Sequence, residues 1–125
     1  MNNIDRTIAF IEHWNKLDLD AIFDAVDDDI VYHNIPMDVV VGKNSFRAAI
    51  SPLVQMATEI IWETPHVAET PFGEVLTERI DTFVLASGHR ITIPVMGVFE
   101  WTPHGKLAKW RDYFDLAEFQ RQMPG

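Results

Sequence analysis

Five polar residues stand where acid–base chemistry could be done. In residues 73–85, Arg79 and Asp81 are two positions apart, a spacing that puts both side chains on one face of a strand. They share that face with Val75, Thr77, Phe83 and Leu85. Further on, Asp112 alternates with Ala108, Trp110 and Phe114, a face that is apolar apart from its carboxylate. A carboxylate among Trp and Phe is costly unless it is paired or hydrogen-bonded. Arg79 is the natural partner, on a strand that could lie near it in a curved sheet; Arg111 or a backbone amide is the alternative. Tyr32 and Asn34 share a face with Ile30 and offer a hydroxyl and an amide able to hold a small molecule such as water.

Taken singly, each has a plain structural meaning. Arg79–Asp81 reads equally as an exposed ion pair of little consequence, Asp112 as a buried structural carboxylate, Tyr32 and Asn34 as hydrogen-bonding residues at the core's edge. Two acids, an arginine and two neutral polar groups on strands of one small sheet describe a general acid–base site.

The elements that must position them follow from periodicity. Ile4, Ile8, Ile11 and Trp14 recur at helical spacing and predict an amphipathic first helix. Asp18 is placed to cap a short second helix carrying Leu19, Ile22 and Phe23. Asp27, Asp28 and Asp29 read as a solvated turn, followed by a strand over 30–35 that stops at Pro36 and a short edge strand over 39–41. From Lys43, the residues Phe46, Ala49, Ile50, Leu53 and Val54 resume helical spacing, with Pro52 expected to kink or restart that helix. Strands are expected over 59–70, 73–85, 91–101 and 107–114, with turns at Ser87-Gly88-His89 and Pro103-His104-Gly105, and a short closing helix over 117–122. Helices first and strands afterwards argue for an α+β fold. A curved antiparallel sheet wrapped by the N-terminal helices would bury these faces and leave a conical interior suited to a ligand.

Composition narrows the chemistry. The 125 residues suit a single domain, 1–125, and 47% of them are hydrophobic. The net charge of −9 makes nucleic acid a poor partner. There is no cysteine, which excludes disulfides, thiolate catalysis and Cys-ligated metals. The five histidines show no metal-ligand spacing, and no P-loop, G-x-G-x-x-G or G-x-S-x-G is present, so neither a metal nor another cofactor is expected. The start lacks the pattern of a signal peptide, and no apolar run nears the ~18 residues of a membrane helix, so the expectation is a cytoplasmic protein with no membrane partner.

Three segments together resemble the limonene-1,2-epoxide hydrolases: Tyr32-His33-Asn34-Ile35-Pro36, Glu78-Arg79-Ile80-Asp81 and Trp110-Arg111-Asp112-Tyr113-Phe114-Asp115. Gly97-Val98-Phe99 fits the same pattern, and order and spacing agree over roughly residues 4–120. The resemblance implies a cone-shaped, barrel-like mixed sheet, shared with nuclear transport factor, ketosteroid isomerases and polyketide cyclases, usually as a homodimer. It implies Asp112 as general base on a water held also by Tyr32 and Asn34, Asp81 as general acid, and Arg79 between the two. The substrate implied is a small apolar epoxide, terpene-like or cyclic, opened by water to a vicinal diol. Trp110, Phe114, Phe83, Leu85, Val75 and Leu53 are the expected walls of its pocket. The fold hosts other activities. An isomerase or cyclase using Tyr32, Asp81 and Asp112, and a non-catalytic binding or dimerisation module, are the alternatives.

Overall fold

The computed structural model describes residues 1–124. Among the described residues, four helices and six strands are arranged as α1 (Asn3–Asn15), α2 (Leu19–Ala25), β1 (Val26–Asn34), β2 (Val40–Val41), α3 (Lys43–Met56), β3 (Ala57–Glu69), β4 (Val75–Leu85), β5 (Arg90–Trp101), β6 (Leu107–Tyr113) and α4 (Leu116–Gln122). The strands make one curved sheet in the order β2-β1-β6-β5-β4-β3. It is mixed, not wholly antiparallel: β1 runs parallel to β6, while every other neighbouring pair is antiparallel. The parallel pair joins the first strand of the chain to the last. The sheet is barrel-like but open, with β2 and β3 as its edges.

Local chemistry accounts for the helix boundaries. The Asn2 side chain accepts from the Asp5 amide at 2.8 Å and that of Asp18 from the Ala21 amide at 3.0 Å, each satisfying an otherwise orphaned donor. Between α1 and α2 the chain reverses through Leu17 at φ 54°. Gly42 precedes α3 at φ 90°, a left-handed position that suits glycine.

Four expectations change. In α1 the buried residues are Thr7, Phe10, Ile11 and Trp14, while Ile8 is 48% exposed. Thr7 can be buried because its hydroxyl donates to the Asn3 carbonyl at 2.8 Å and accepts from the Trp101 indole at 2.9 Å, a satisfaction hydrophobic spacing does not register. Asp27, Asp28 and Asp29 belong to β1, at a register break between Val26 and Val31 opposite β6, where the Asp27 carboxylate accepts from the Asp29 amide. α3 runs unbroken from Lys43 to Met56 through Pro52, so the helix does not restart there. β3 starts at Ala57, and Pro65 falls in its register break between Glu63 and His66, where a missing donor costs no ladder bond.

The core lies between helices and sheet. Trp110 is its centre: its ring stacks on Phe99 at 5.4 Å and meets Phe10 edge-on at 5.2 Å. Among the described residues no helix is long and apolar enough to cross a membrane.

Candidate active site

The five polar residues converge on the concave face. Arg79 and Asp81 lie on β4 and Asp112 near the end of β6; β5 runs between them. Arg79 is wholly buried (0% exposed), and Asp81 and Asp112 are also buried.

The Arg79 guanidinium lies in a fork between the two acids. Its Nε donates to Asp81 Oδ1 at 3.1 Å and its Nη2 to Asp81 Oδ2 at 3.0 Å. On the other side, Nη2 donates to Asp112 Oδ2 at 2.7 Å and Nη1 to Asp112 Oδ1 at 3.1 Å. Nη1 also donates to Thr77 Oγ1 at 3.3 Å. A guanidinium has five N–H groups, so these contacts engage all of them. Asp112 therefore pairs with Arg79; Arg111, the alternative partner, donates instead to Glu100 at 2.6 Å. One face of the guanidinium lies 4.9 Å from the ring of Trp62, whose strand position is opposite Asp81.

Asp112 is further held by the Trp110 indole N–H, which donates to Oδ1 at 2.8 Å. Oδ1 thus receives two donors and Oδ2 one. β1 lies beside β6 with Tyr32 opposite Trp110 and Asn34 opposite Asp112. The Asn34 amide donates to the Tyr32 hydroxyl at 2.9 Å, leaving the phenol proton and the Asn34 carbonyl oxygen to address a third molecule.

Burial pushes the Asp81 carboxyl up to about 6; the Arg79 charge pulls it down, while Asp112 adds to the rise. Burial, reinforced by the Asp112 charge, also raises the Tyr32 phenol, which stays a donor. Burial opposes the charge of Arg79, but the two carboxylates outweigh it and keep the guanidinium ionised.

A cavity of about 220 Å³ opens onto this group; Tyr32, Asn34, Asp81 and Asp112 line it, with Asp38 as a further polar residue. Of the expected apolar walls, Phe83, Leu53 and Phe114 line it. Val75, Leu85 and Trp110 do not. Val75 lies at the far end of β4 in the core, Leu85 ends β4 beside Ala57, and Trp110 is enclosed by Phe10, Phe99 and Tyr32 with its polar edge committed to Asp112. Trp14, Ile50, Trp62 and Phe119 also line it, none of them named as pocket wall from the sequence. Trp14 and Trp62 come from α1 and β3 and stack at 4.5 Å, a contact between distant segments that strand alternation cannot reveal.

Comparison with known proteins gives the family and the fold. The family model described as limonene-1,2-epoxide hydrolase catalytic domain matches residues 1–124. Epoxide hydrolase EphG of Mycobacterium tuberculosis is 32% identical over 111 residues, covering 88% of this chain and 71% of that protein. An M. tuberculosis epoxide hydrolase of the same type superposes with a TM-score of 0.81 at 27% identity, over 96% of this chain and 87% of that one. The epoxide hydrolase/cyclase-like enzyme SalBIII, from formation of the pyran ring in salinomycin, superposes with a TM-score of 0.83 over 93% of this chain and 92% of that one; at 20% identity the likeness is one of fold.

Proposed function

The chain belongs to the limonene-1,2-epoxide hydrolase family and is an epoxide hydrolase; we propose that it adds water in one step to a small apolar epoxide, terpene-like or cyclic, to give a vicinal diol. The observation that carries this mechanism is the Asp81–Arg79–Asp112 fork at the wall of a largely apolar cavity.

Opening an epoxide by water needs a base at the water and an acid at the ring oxygen together. Asp112 is the base, acting through Oδ2, the oxygen with one protein donor where Oδ1 has two. The Tyr32 hydroxyl and the Asn34 carbonyl orient the water. Its oxygen bonds to one ring carbon as that carbon's bond to the ring oxygen breaks, with inversion. The water proton passes to Asp112, and the Asp81 proton passes to the ring oxygen. The set keeps its net charge and is reset by returning one proton from Asp112 to Asp81.

Protonation states support these roles. Two carboxylates bridged by one guanidinium share a proton more readily than they ionise together, and burial favours Asp81 as its holder. Arg79 has no N–H left for substrate, so its role is to hold the acids in position and register. Burying three ionisable groups at a cavity is hard to reconcile with a purely structural module.

The convex face supports assembly as a homodimer. Leu76, Ile80, Met96 and Tyr113 are 40–51% exposed there, on the adjoining strands β4, β5 and β6. A second copy would cover this patch.

The reading is tested by following diol formation from limonene oxide and cyclohexene oxide in metal-free buffer. Turnover of either supports it; no turnover across a wider set of apolar epoxides refutes the substrate class.

A further inference from the structure

Arg79 on β4 reaches Asp112 on β6 by passing over β5, the strand between them. The residue under that crossing is Gly97, which pairs in register with Thr77 on one side and Asp112 on the other. A Cβ at Gly97 would come within 2.5 Å of Arg79 Nη1, 2.7 Å of Asp112 Oδ1 and 2.9 Å of Thr77 Oγ1. All three are closer than carbon atoms approach such groups, and none can retreat: Nη1 is committed to two oxygens, and Asp112 Oδ1 also holds the Trp110 indole.

We propose that Thr77 and Gly97 are positioning residues of the epoxide-opening reaction: Gly97 leaves the space in which the guanidinium crosses β5, and Thr77 takes its fifth N–H so that the fork stays aligned on both acids. The inference rests on the function proposed above. Thr77 is 1% exposed and, like Gly97, does not line the cavity, so neither touches substrate. Their effect runs through Arg79. If Thr77 were valine, one N–H of a buried cation would be unpaired, and the guanidinium would turn to find another acceptor. A buried donor without a partner costs more than the hydrogen bond it loses. The turn loosens the grip on Asp81, whose carboxyl is held down by Arg79 against the push of burial, with Asp112 and Tyr32 the other titratable groups facing it.

The test compares wild type with Thr77→Val, Thr77→Ser and Gly97→Ala. For Thr77→Val, nearly the same shape without the acceptor, kcat falls about tenfold and KM is unchanged. The alkaline limb of the kcat–pH profile moves to higher pH, because a loosened Arg79 lets the acid pair hold its shared proton more tightly. Thr77→Ser restores both rate and profile. Gly97→Ala loses more rate than Thr77→Val. A folded Thr77→Val protein with wild-type kcat and pH profile overturns the proposal, as does one whose melting temperature falls while the limb stays in place. A second readout needs no turnover: in substrate-free protein the Arg79 guanidinium N–H signals in ¹⁵N NMR are protected from exchange, and they lose protection in Thr77→Val but keep it in Thr77→Ser. Protection that follows this pattern in a protein with no epoxide turnover would leave the positioning intact and refute only the reaction.

Discussion

Arg79 Nη2 lies 2.7 Å from Asp112 Oδ2, so the shortest contact in the acid–arginine–acid set joins two strands that are not neighbours in the sheet. The other acid, Asp81, is two residues from Arg79 on the same strand. The geometry of the proposed acid–base set therefore depends on the fork shape of the guanidinium, which must satisfy a local and a distant carboxylate at once. Arg79→Lys keeps the charge but not the fork, and kcat should fall about a hundredfold or more in a folded protein. Steady-state kinetics beside circular dichroism check this; full activity would reduce Arg79 to a local charge.

Asp112→Asn and Asp81→Asn should each lower kcat about a thousandfold while leaving KM for a neutral epoxide near its original value. The amide cannot accept the water proton in the first case or supply the proton in the second. Near-wild-type rates in either folded variant would remove it from the acid–base pair.

In the proposed role of general acid, the raised Asp81 carboxyl sets a pH dependence of rate. A general acid must carry its proton, so kcat should fall as pH rises through about 6. The profile belongs to the coupled pair, and Asp112→Asn, with its residual rate, should displace this limb. A rate that climbs steadily from pH 6 to 9 would contradict the assignment of Asp81.

The same shift carries a stability consequence. A carboxyl raised from 3.8 to about 6 on folding contributes stability that is fully present below pH 3.8 and lost as pH rises through 6, an effect of about 3 kcal/mol at most. Denaturant unfolding of wild type and Asp81→Asn across pH 4–8 should show wild type losing ground with rising pH relative to the variant. A constant difference would mean that Asp81 titrates alike in folded and unfolded chains.

Trp110 illustrates what was legible in the sequence and what was not. Alternation along a strand fixes which side chains share a face, so Arg79 with Asp81, Asp112 with Trp110, and Tyr32 with Asn34 follow from spacing alone. Alternation does not tell a pocket wall from a core, because both are apolar. Trp110 thus reads as a wall, whereas its ring is buried on Phe99 and its N–H holds Asp112. Gly97 appears in the sequence only as part of a resemblance; its close approach to Arg79 needs the register of three strands. That β1 and β6 form the parallel pair of the mixed sheet is not readable from spacing either, since it joins segments far apart in the chain. Trp110→Phe keeps the stacking and removes the donor, and should lower kcat about tenfold with little change in KM.

The apolar convex patch makes a separate prediction. Ile80→Lys, on the face away from the cavity, should convert a dimer into monomers in sedimentation experiments without moving the cavity residues. A wild-type protein that sediments as a monomer at micromolar concentration would refute a stable homodimer.

Direct attack by water, with Asp112 as base and not as nucleophile, is tested by a single turnover in H₂¹⁸O with enzyme in excess over epoxide. The account predicts one ¹⁸O in the diol and none in the Asp112 carboxylate. Unlabelled diol from that first turnover, with the label appearing in Asp112 after hydrolysis of an ester, would contradict it.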